Sequence, residues 1–381
     1  MIVQTSSRRG SRLPFNLNKE NKVNKFIELK WISAALSLLF MTACLNIGPR
    51  TIARDRFDYA SAISESWKDN MLLNLVKIRY ADAIVFLDIA SITNQYELEG
   101  RINLDGTLRS GLLGDSAGAG GSAKYTDRPT ITYNPLMGTK FRTSLMQAIP
   151  PEALLTLMQA GWSADFVFRC CVQAINGIYN RTGGQIGLQQ IADPRFYDLI
   201  DTLNMLQGAG ALGFRVKQQE GKKIGVCFFR RMTDNIVSQK ITKAKELLGL
   251  DQNTWEFKLS YGPIAEGDKD ISILTRTMLE ILGELASHID VPPEHVTENR
   301  ATPNWLKETE EEKGIEPLLQ IKSQKDKPSD ALVAVKYRDF WFWIDDRDLT
   351  SKRTFSFLMF LFSLAEKGTP EMAPLLTIPA G

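Results

Sequence analysis

Histidine is almost missing from this chain, with two residues in 381, His288 and His295. That count excludes a histidine-rich metal site and leaves little of the commonest general base. The two stand on and just after one apolar segment. Pro292-Pro293 separate them, so they do not share a helical face. Cysteine is scarce as well, at four residues (Cys44, Cys170, Cys171 and Cys227), which excludes a disulfide framework. No apolar run approaches the roughly 20 residues of a membrane-crossing helix. The chain has no GxxxxGK[ST] phosphate cradle, SxxK or HExxH. Neither sign of charge dominates, with 46 basic against 44 acidic side chains. No field of the chain as a whole points to nucleic acid or to an anionic membrane surface, and no nucleic-acid partner is expected.

The N-terminal segment is organised differently. Residues 1–30 are polar and basic, residues 31–43 (WISAALSLLFMTA) are apolar or small without charge, and Cys44 follows at once. A basic segment, a short apolar stretch and small residues form the layout of a secretory signal. The leader through Cys44 holds seven of the basic and two of the acidic groups. Without it, 39 basic and 42 acidic groups remain, a net charge of −3. Residues 1–43 therefore read as a signal peptide and 44–56 as a tether containing Gly48-Pro49.

Met41-Thr42-Ala43-Cys44 resembles a lipobox, the site of diacylglyceryl transfer and of signal peptidase II cleavage in bacterial lipoproteins; Met41 stands where leucine is commoner. The resemblance implies a lipidated Cys44. Leu45 follows it, where inner-membrane retention is mainly reserved for aspartate, so the same resemblance implies the outer membrane, facing the periplasm. The segments DYASAISESWKDNMLLNLVKIRYADAIVFLDIASI and YTDRPTITYNPL are similar to proteobacterial lipoproteins, a likeness that implies a compartment and no activity.

The mature chain reads as α+β: a mixed, mostly antiparallel sheet with amphipathic helices packed on it, in one or two lobes. Residues 57–210 read as a helix-rich lobe and 211–381 as a strand-containing one. Asp58 is a candidate cap for a helix carrying Ala60, Ile63, Trp67, Met71, Leu75 and Ile78 on one face. AIVFLDIASI (83–92) and TITY (130–133) read as strands, and the Gly/Ser-rich 105–128 as a flexible loop between them. A helix follows Pro150-Pro151, and the next, capped by Ser163, carries Val167, Cys170, Cys171, Ala174, Ile175 and Ile178. Asp193-Pro194 opens a helix ending at Gly208. A hairpin turns near Glu220-Gly221, a basic helix spans 234–249, and a strand covers 255–262. Ile271, Leu274, Met278, Leu282, Leu285 and Ile289 suggest one long helix, and 294–330 a charged, solvated insertion. VAVKYRDFWFWI turns at Arg338-Asp339, and Asp348 caps a last apolar helix.

Each remaining feature with chemical potential has a structural reading beside it. Gly208, Gly210 and Gly213 match the spacing of a dinucleotide loop, but a helix precedes them and a strand follows, the order of a helix cap and turn. GAGGSA at 118–123 has no helix after it. Asp345, Asp346 and Asp348 offer clustered carboxylates for a divalent cation or for acid–base work, or else a turn and a helix cap. Glu266, Asp268 and Asp270 form a second acidic loop. Cys170, Cys171 and Cys227 read as buried thiols, with a bond from Cys227 to one of the pair as the alternative. Trp341 and Trp343 share one face of a strand, where they serve a core, a sugar or a partner. No catalytic, cofactor or metal residue emerges, and the one assigned site is Cys44. The resulting expectation is a lipid-anchored envelope protein that binds or scaffolds, its partner a protein complex or a cell-wall polymer. The alternative is an envelope hydrolase using paired carboxylates.

Overall fold

The computed structural model describes residues 47–93, 96–107, 116–127, 130–183, 189–219, 222–303 and 315–365. The chain divides into two units, Met1–Glu65 and Ser66–Gly381. The fold is α+β with a mixed, mostly antiparallel sheet, as the patterning implied.

Helix α1 runs Ile47–Arg79 and so begins well before the expected cap at Asp58. Pro49 falls in the first turn, where the backbone has no upstream carbonyl to bond, so proline costs the helix nothing there. The part of 44–56 that is described is thus helical. Of the expected face, Met71, Leu75 and Ile78 are buried, whereas Ala60 is exposed.

The largest correction concerns 116–127, which is strand β3 (Ser116–Asp127) in place of a loop; β2 (Tyr96–Thr107) pairs with it antiparallel, and β1 (Leu87–Thr93) pairs antiparallel with β4 (Thr130–Pro135), as two separate two-stranded ribbons. Residues 108–115 and 128 of the expected loop lie outside the described residues. β2 pairs with β3 over twelve positions, from Tyr96 with Asp127 to Thr107 with Ser116. Glycine, alanine and serine weaken intrinsic strand preference, but pairing to the alternating β2 supplies the ladder that composition alone conceals.

Beyond the ribbons come α2 (Gly138–Phe141), a π-helical turn at Arg142–Met146, α3 (Pro151–Gln159) and α4 (Ala164–Cys171). The expected helix through Ile178 stops at Cys171. β5 (Val172–Ile175) and β6 (Ile178–Tyr179) follow, joined by Asn176-Gly177. Both turn residues have positive φ, 45° and 79°, the geometry that tight hairpins demand and that Asn-Gly adopts most readily. Asn176 also donates from Nδ2 to the Leu248 carbonyl (2.8 Å) and accepts from the Ser272 amide (2.7 Å), which fixes the turn to its neighbours.

Strands β7 (Thr182–Gly183) and β8 (Gln189–Gln190) make a small pair, and α5 (Pro194–Gly208) starts at the Asp193 cap. Gly210, at φ 66°, belongs to the turn after α5, the structural alternative to a nucleotide loop. β9 (Leu212–Gln219), β10 (Lys222–Phe229), α6 (Asn235–Leu248) and β11 (Glu256–Tyr261) follow as patterned. The long helix expected from Ile271 is instead β12 (Asp270–Thr275) and α7 (Met278–Ala286). Branched residues in ISILT favour the strand, and the Thr277–Glu280 capping box starts the helix afresh.

The main sheet has the order β6-β5-β12-β11-β10-β9, parallel only between β11 and β12. It takes strands from both sides of residue 210, so the expected lobe boundary falls inside one sheet. β12 is central, and Ile271, Ser272 and Ile273 are all buried. Phe168 of α4, Leu203 of α5 and Leu248 of α6 meet Cys227, Leu259 and Ile273 of the sheet around a void of only about 20 Å³.

Helix α8 (Pro293–Thr297) and β13 (Lys322–Gln324) lie within the stretch expected to be a solvated insertion, where Leu318, Leu319 and Ile321 are buried. β13, β15 (Phe340–Asp345) and β14 (Ala331–Tyr337) form a second sheet in that order, and α9 (Leu349–Ala365) follows. Phe340, Phe342 and Ile344 are buried on one face, and Trp341 and Trp343 lie half-buried on the other. No helix among the described residues is long and apolar enough to cross a membrane.

Gly177→Ala should cost about 1–2 kcal/mol, because alanine at positive φ brings its Cβ against backbone oxygen. Urea unfolding of the two proteins measures it; an unchanged midpoint would contradict the turn geometry.

Candidate functional site

Cys44, and with it the whole leader, lies outside the described residues. The other candidate residues can be located. Asp345 and Trp343 of β15 line a cavity of about 150 Å³ together with Gln324, Pro328, Ser329, Asp330 and Arg347. The β-hairpin register sets this up: Trp343 sits between Lys322 of β13 and Ala334 of β14. The Lys322 ammonium lies 5.1 Å from the Trp343 ring centre and donates to Asp345 Oδ2 at 2.9 Å. The Arg347 amide donates to Asp345 Oδ1 at 3.0 Å, and the Arg347 guanidinium pairs with Asp330. The backbone bond from Arg347 and the Lys322 ammonium hold the Asp345 carboxyl below its usual range. The indole N–H of Trp343 is buried without a hydrogen-bond partner.

Asp346 and Asp348 are used elsewhere. Asp346 accepts from Lys352 Nζ at 2.6 Å. Asp348 accepts the Ser351 amide and hydroxyl at 3.0 and 2.6 Å and so caps α9. Among the described residues, no group of three or more His, Cys, Asp or Glu is arranged to hold a metal ion. Glu266 and Asp268 are exposed and Asp270 opens β12. The cavity thus offers carboxylate acceptors and guanidinium and amide donors to a small polar group. A general acid needs a carboxyl raised toward neutrality, and Asp345 is shifted the other way.

A second cluster was not singled out in the sequence. Glu284 of α7 is buried, and Arg181, at the start of β7, donates to its Oε1. The Gly183 amide donates to Oε2 at 2.8 Å, and Arg276 lies 3.8 Å from Oε2. A Cβ on Gly183 would collide with Ser287, so only glycine lets this backbone approach α7 so closely. Arg276 donates to the carbonyls of Arg169 (3.0 Å), Cys170 (3.1 Å) and Arg181, so its charge also complements the C-terminus of α4. Arg181 contacts His288 Nε2 and Ser287 Oγ; a guanidinium has no acceptor, so Nε2 must accept. Burial pushes the Glu284 carboxyl up. Arg181, Arg276 and the bond from Gly183 outweigh it, and the net shift is downward. The adjoining void of about 20 Å³ holds little more than one water, which makes this a structural tie and not a substrate site.

His295 belongs to a third cluster. Tyr80, just past α1, and His295 of α8 are both buried, and the Tyr80 hydroxyl is 2.6 Å from His295 Nδ1. Burial raises the Tyr80 phenol to about 12 and lowers His295, and the ring's tautomer sets which of the two donates. Tyr337 donates to Asp82 at 2.7 Å, and Arg338 lies over both tyrosine rings. The two histidines are therefore in different clusters.

Cys170, Cys171 and Cys227 are free and buried; burial raises the thiols of Cys171 and Cys227 and keeps them protonated. The signal that could have revealed the Glu284 cluster is the carboxylate itself, placed within MLEILGELA where the helix is buried nearly all round.

Glu284→Gln should destabilise the protein by about 3–5 kcal/mol, since two buried guanidiniums lose their counter-charge. A depressed folded-state pKa gives a contribution that is full above the ordinary Glu value of 4.5 and is lost as pH falls through the folded value. Urea titrations of both proteins from neutral to acid pH should therefore converge; a constant gap would refute the assignment. No known protein family, curated protein or solved structure matches this chain.

Proposed function

We propose that the chain is a lipoprotein of the outer membrane, held on the periplasmic face by acyl chains on Cys44, with a binding or scaffolding role in the cell envelope. The observation that carries this reading is the run from the basic leader through WISAALSLLFMTA to Cys44. Acyl chains contribute about 0.8 kcal/mol per buried CH₂, so a multiply acylated cysteine is a durable anchor. The binding role is supported by the cavity beside Trp343, whose carboxylates, guanidinium and indole suit hydroxyl-rich or peptide groups of a cell-wall polymer or an envelope protein. The alternative of a carboxylate hydrolase finds less support. Asp345, Asp346 and Asp348 are each engaged by a cation or a helix end.

Labelling with a palmitate analogue, followed by membrane fractionation, tests the anchor. Label should enter the wild type and not Cys44→Ser, and only the wild type should sediment with outer membranes. A soluble, unlabelled wild type would remove the proposal.

A further inference from the structure

Residues 325–330 join β13 to β14 and, with the end of β15, wall the cavity of about 150 Å³ beside Trp343. A water takes about 30 Å³ of liquid, so the space suits one small ring. The walls pair charges of opposite sign. The Lys322 ammonium donates to Asp345 at 2.9 Å, and the Arg347 guanidinium pairs with Asp330. Two cations and two carboxylates sum to zero, so the cavity exerts no net pull on an occupant of either charge. What each pair presents is a donor beside an acceptor. A carboxylate oxygen keeps a second lone pair, and a guanidinium or ammonium keeps further N–H groups. A hydroxyl donates and accepts through one atom, so it bridges such a pair without parting it.

Apolar surface completes the arrangement. Trp343 stands between Lys322 of β13 and Ala334 of β14, and alanine offers it only a methyl group. Pro328 lies on the cavity wall. Two positions along β15, about 7 Å away, Trp341 continues the same half-buried face. An aromatic wall with a few placed polar groups suits a sugar, whose ring is apolar across its C–H faces and polar at its rim. The buried, unbonded N–H of Trp343 carries a cost that an acceptor on the occupant relieves.

A peptide matches this face less well. Extended peptides are held chiefly by main-chain bonds to an open strand edge. β15 is bonded on both sides, to β13 and to β14, so the face above it offers side chains alone.

We infer that the cavity is the subsite for one uncharged sugar ring of a linear polysaccharide, whose chain continues along β15 over Trp341. The pairs of Asp345 with Lys322 and of Asp330 with Arg347 take its hydroxyls, and Trp343 and Pro328 take its C–H face. The inference rests on the binding role proposed above and narrows the partner to a glycan.

Isothermal titration of the full chain in mild detergent tests this. The probes are the β-1,4-linked tetramers of glucose and of N-acetylglucosamine, with tetra-alanine as the peptide and a tetramer of galacturonate as the anionic sugar. A neutral tetramer should bind saturably, with a Kd of about 1 mM or tighter. That affinity should change less than about twofold between roughly 50 and 500 mM salt. Arg347→Ala should weaken it at least about tenfold. The Arg347 side chain is 77% exposed, so this variant keeps the fold. Trp343→Phe keeps a ring, loses the N–H and should weaken binding about fivefold. Lys217→Ala, on β9 of the other sheet, should bind as the wild type does, and thermal transitions show which variants fold. Failure of both neutral tetramers to saturate the protein would overturn the inference. So would equal or tighter binding of tetra-alanine or of the galacturonate tetramer, or full affinity in Arg347→Ala. Palmitate label on Cys44 without sugar binding would leave the anchor standing and remove the glycan site. Sugar binding by an unlabelled chain would do the reverse.

Discussion

Glu284 is the point on which the body of the protein converges. Its carboxylate sits in an otherwise apolar helix, where an uncompensated charge is not tolerated. Compensation comes from Arg181 beside β7 and from Arg276 beyond β12, and the same Arg276 engages the last carbonyls of α4. Gly183 must be glycine for its amide to reach the carboxylate, and His288 and Ser287 take up further donors of Arg181. Such a cluster adds little net stability, because desolvation consumes most of the attraction. Its consequence is selectivity: a packing of α7 that strands any of these groups is penalised, so the helix, the small β7–β8 pair and the edge of the main sheet accept one arrangement.

Much of this architecture is legible in the sequence where local chemistry and tertiary demand agree. Asp193-Pro194 and Asp234 begin helices because their side chains bond the first free amides. Arg338-Asp339 turns β14 into β15 with φ of 46° and 67°, and Trp341 and Trp343 share a face by the two-residue period. The misreadings share a cause. Val172–Ile175 and Asp270–Thr275 are apolar runs too short for periodicity to separate strand from helix. Asn176-Gly177 and Thr277–Glu280, the punctuation beside them, carried the answer. In 116–127 glycine, serine and alanine dominate the composition and conceal a strand, although the alternation in its partner, YELEGRINLDGT, is the stronger signal.

For the candidate sites the legibility is more uneven. Asp345 and Trp343 attract notice as a charge cluster and an aromatic strand, and the hairpin brings them to one cavity. Arg181, Arg276 and Glu284 lie about a hundred residues apart at their widest, and no local pattern joins them. Only the rule that a buried carboxylate needs a counter-charge anticipates that partners exist, and the fold decides which they are. The two histidines show the opposite failure. They are near in sequence, yet His288 accepts from Arg181 while His295 is hydrogen-bonded to Tyr80.

A two-residue alternation organises the second sheet. In β15 the apolar positions Phe340, Phe342 and Ile344 are buried, at 8%, 0% and 0% exposure, within the core that α9 and the end of α1 complete. Trp341, Trp343 and Asp345 fall on the opposite face, where Trp343 meets the Lys322 ammonium and lines the cavity with Asp345 and Arg347. One period thus anchors the strand in the core and presents the aromatic and acidic side chains to the candidate site, so a register slip of one residue would lose both at once.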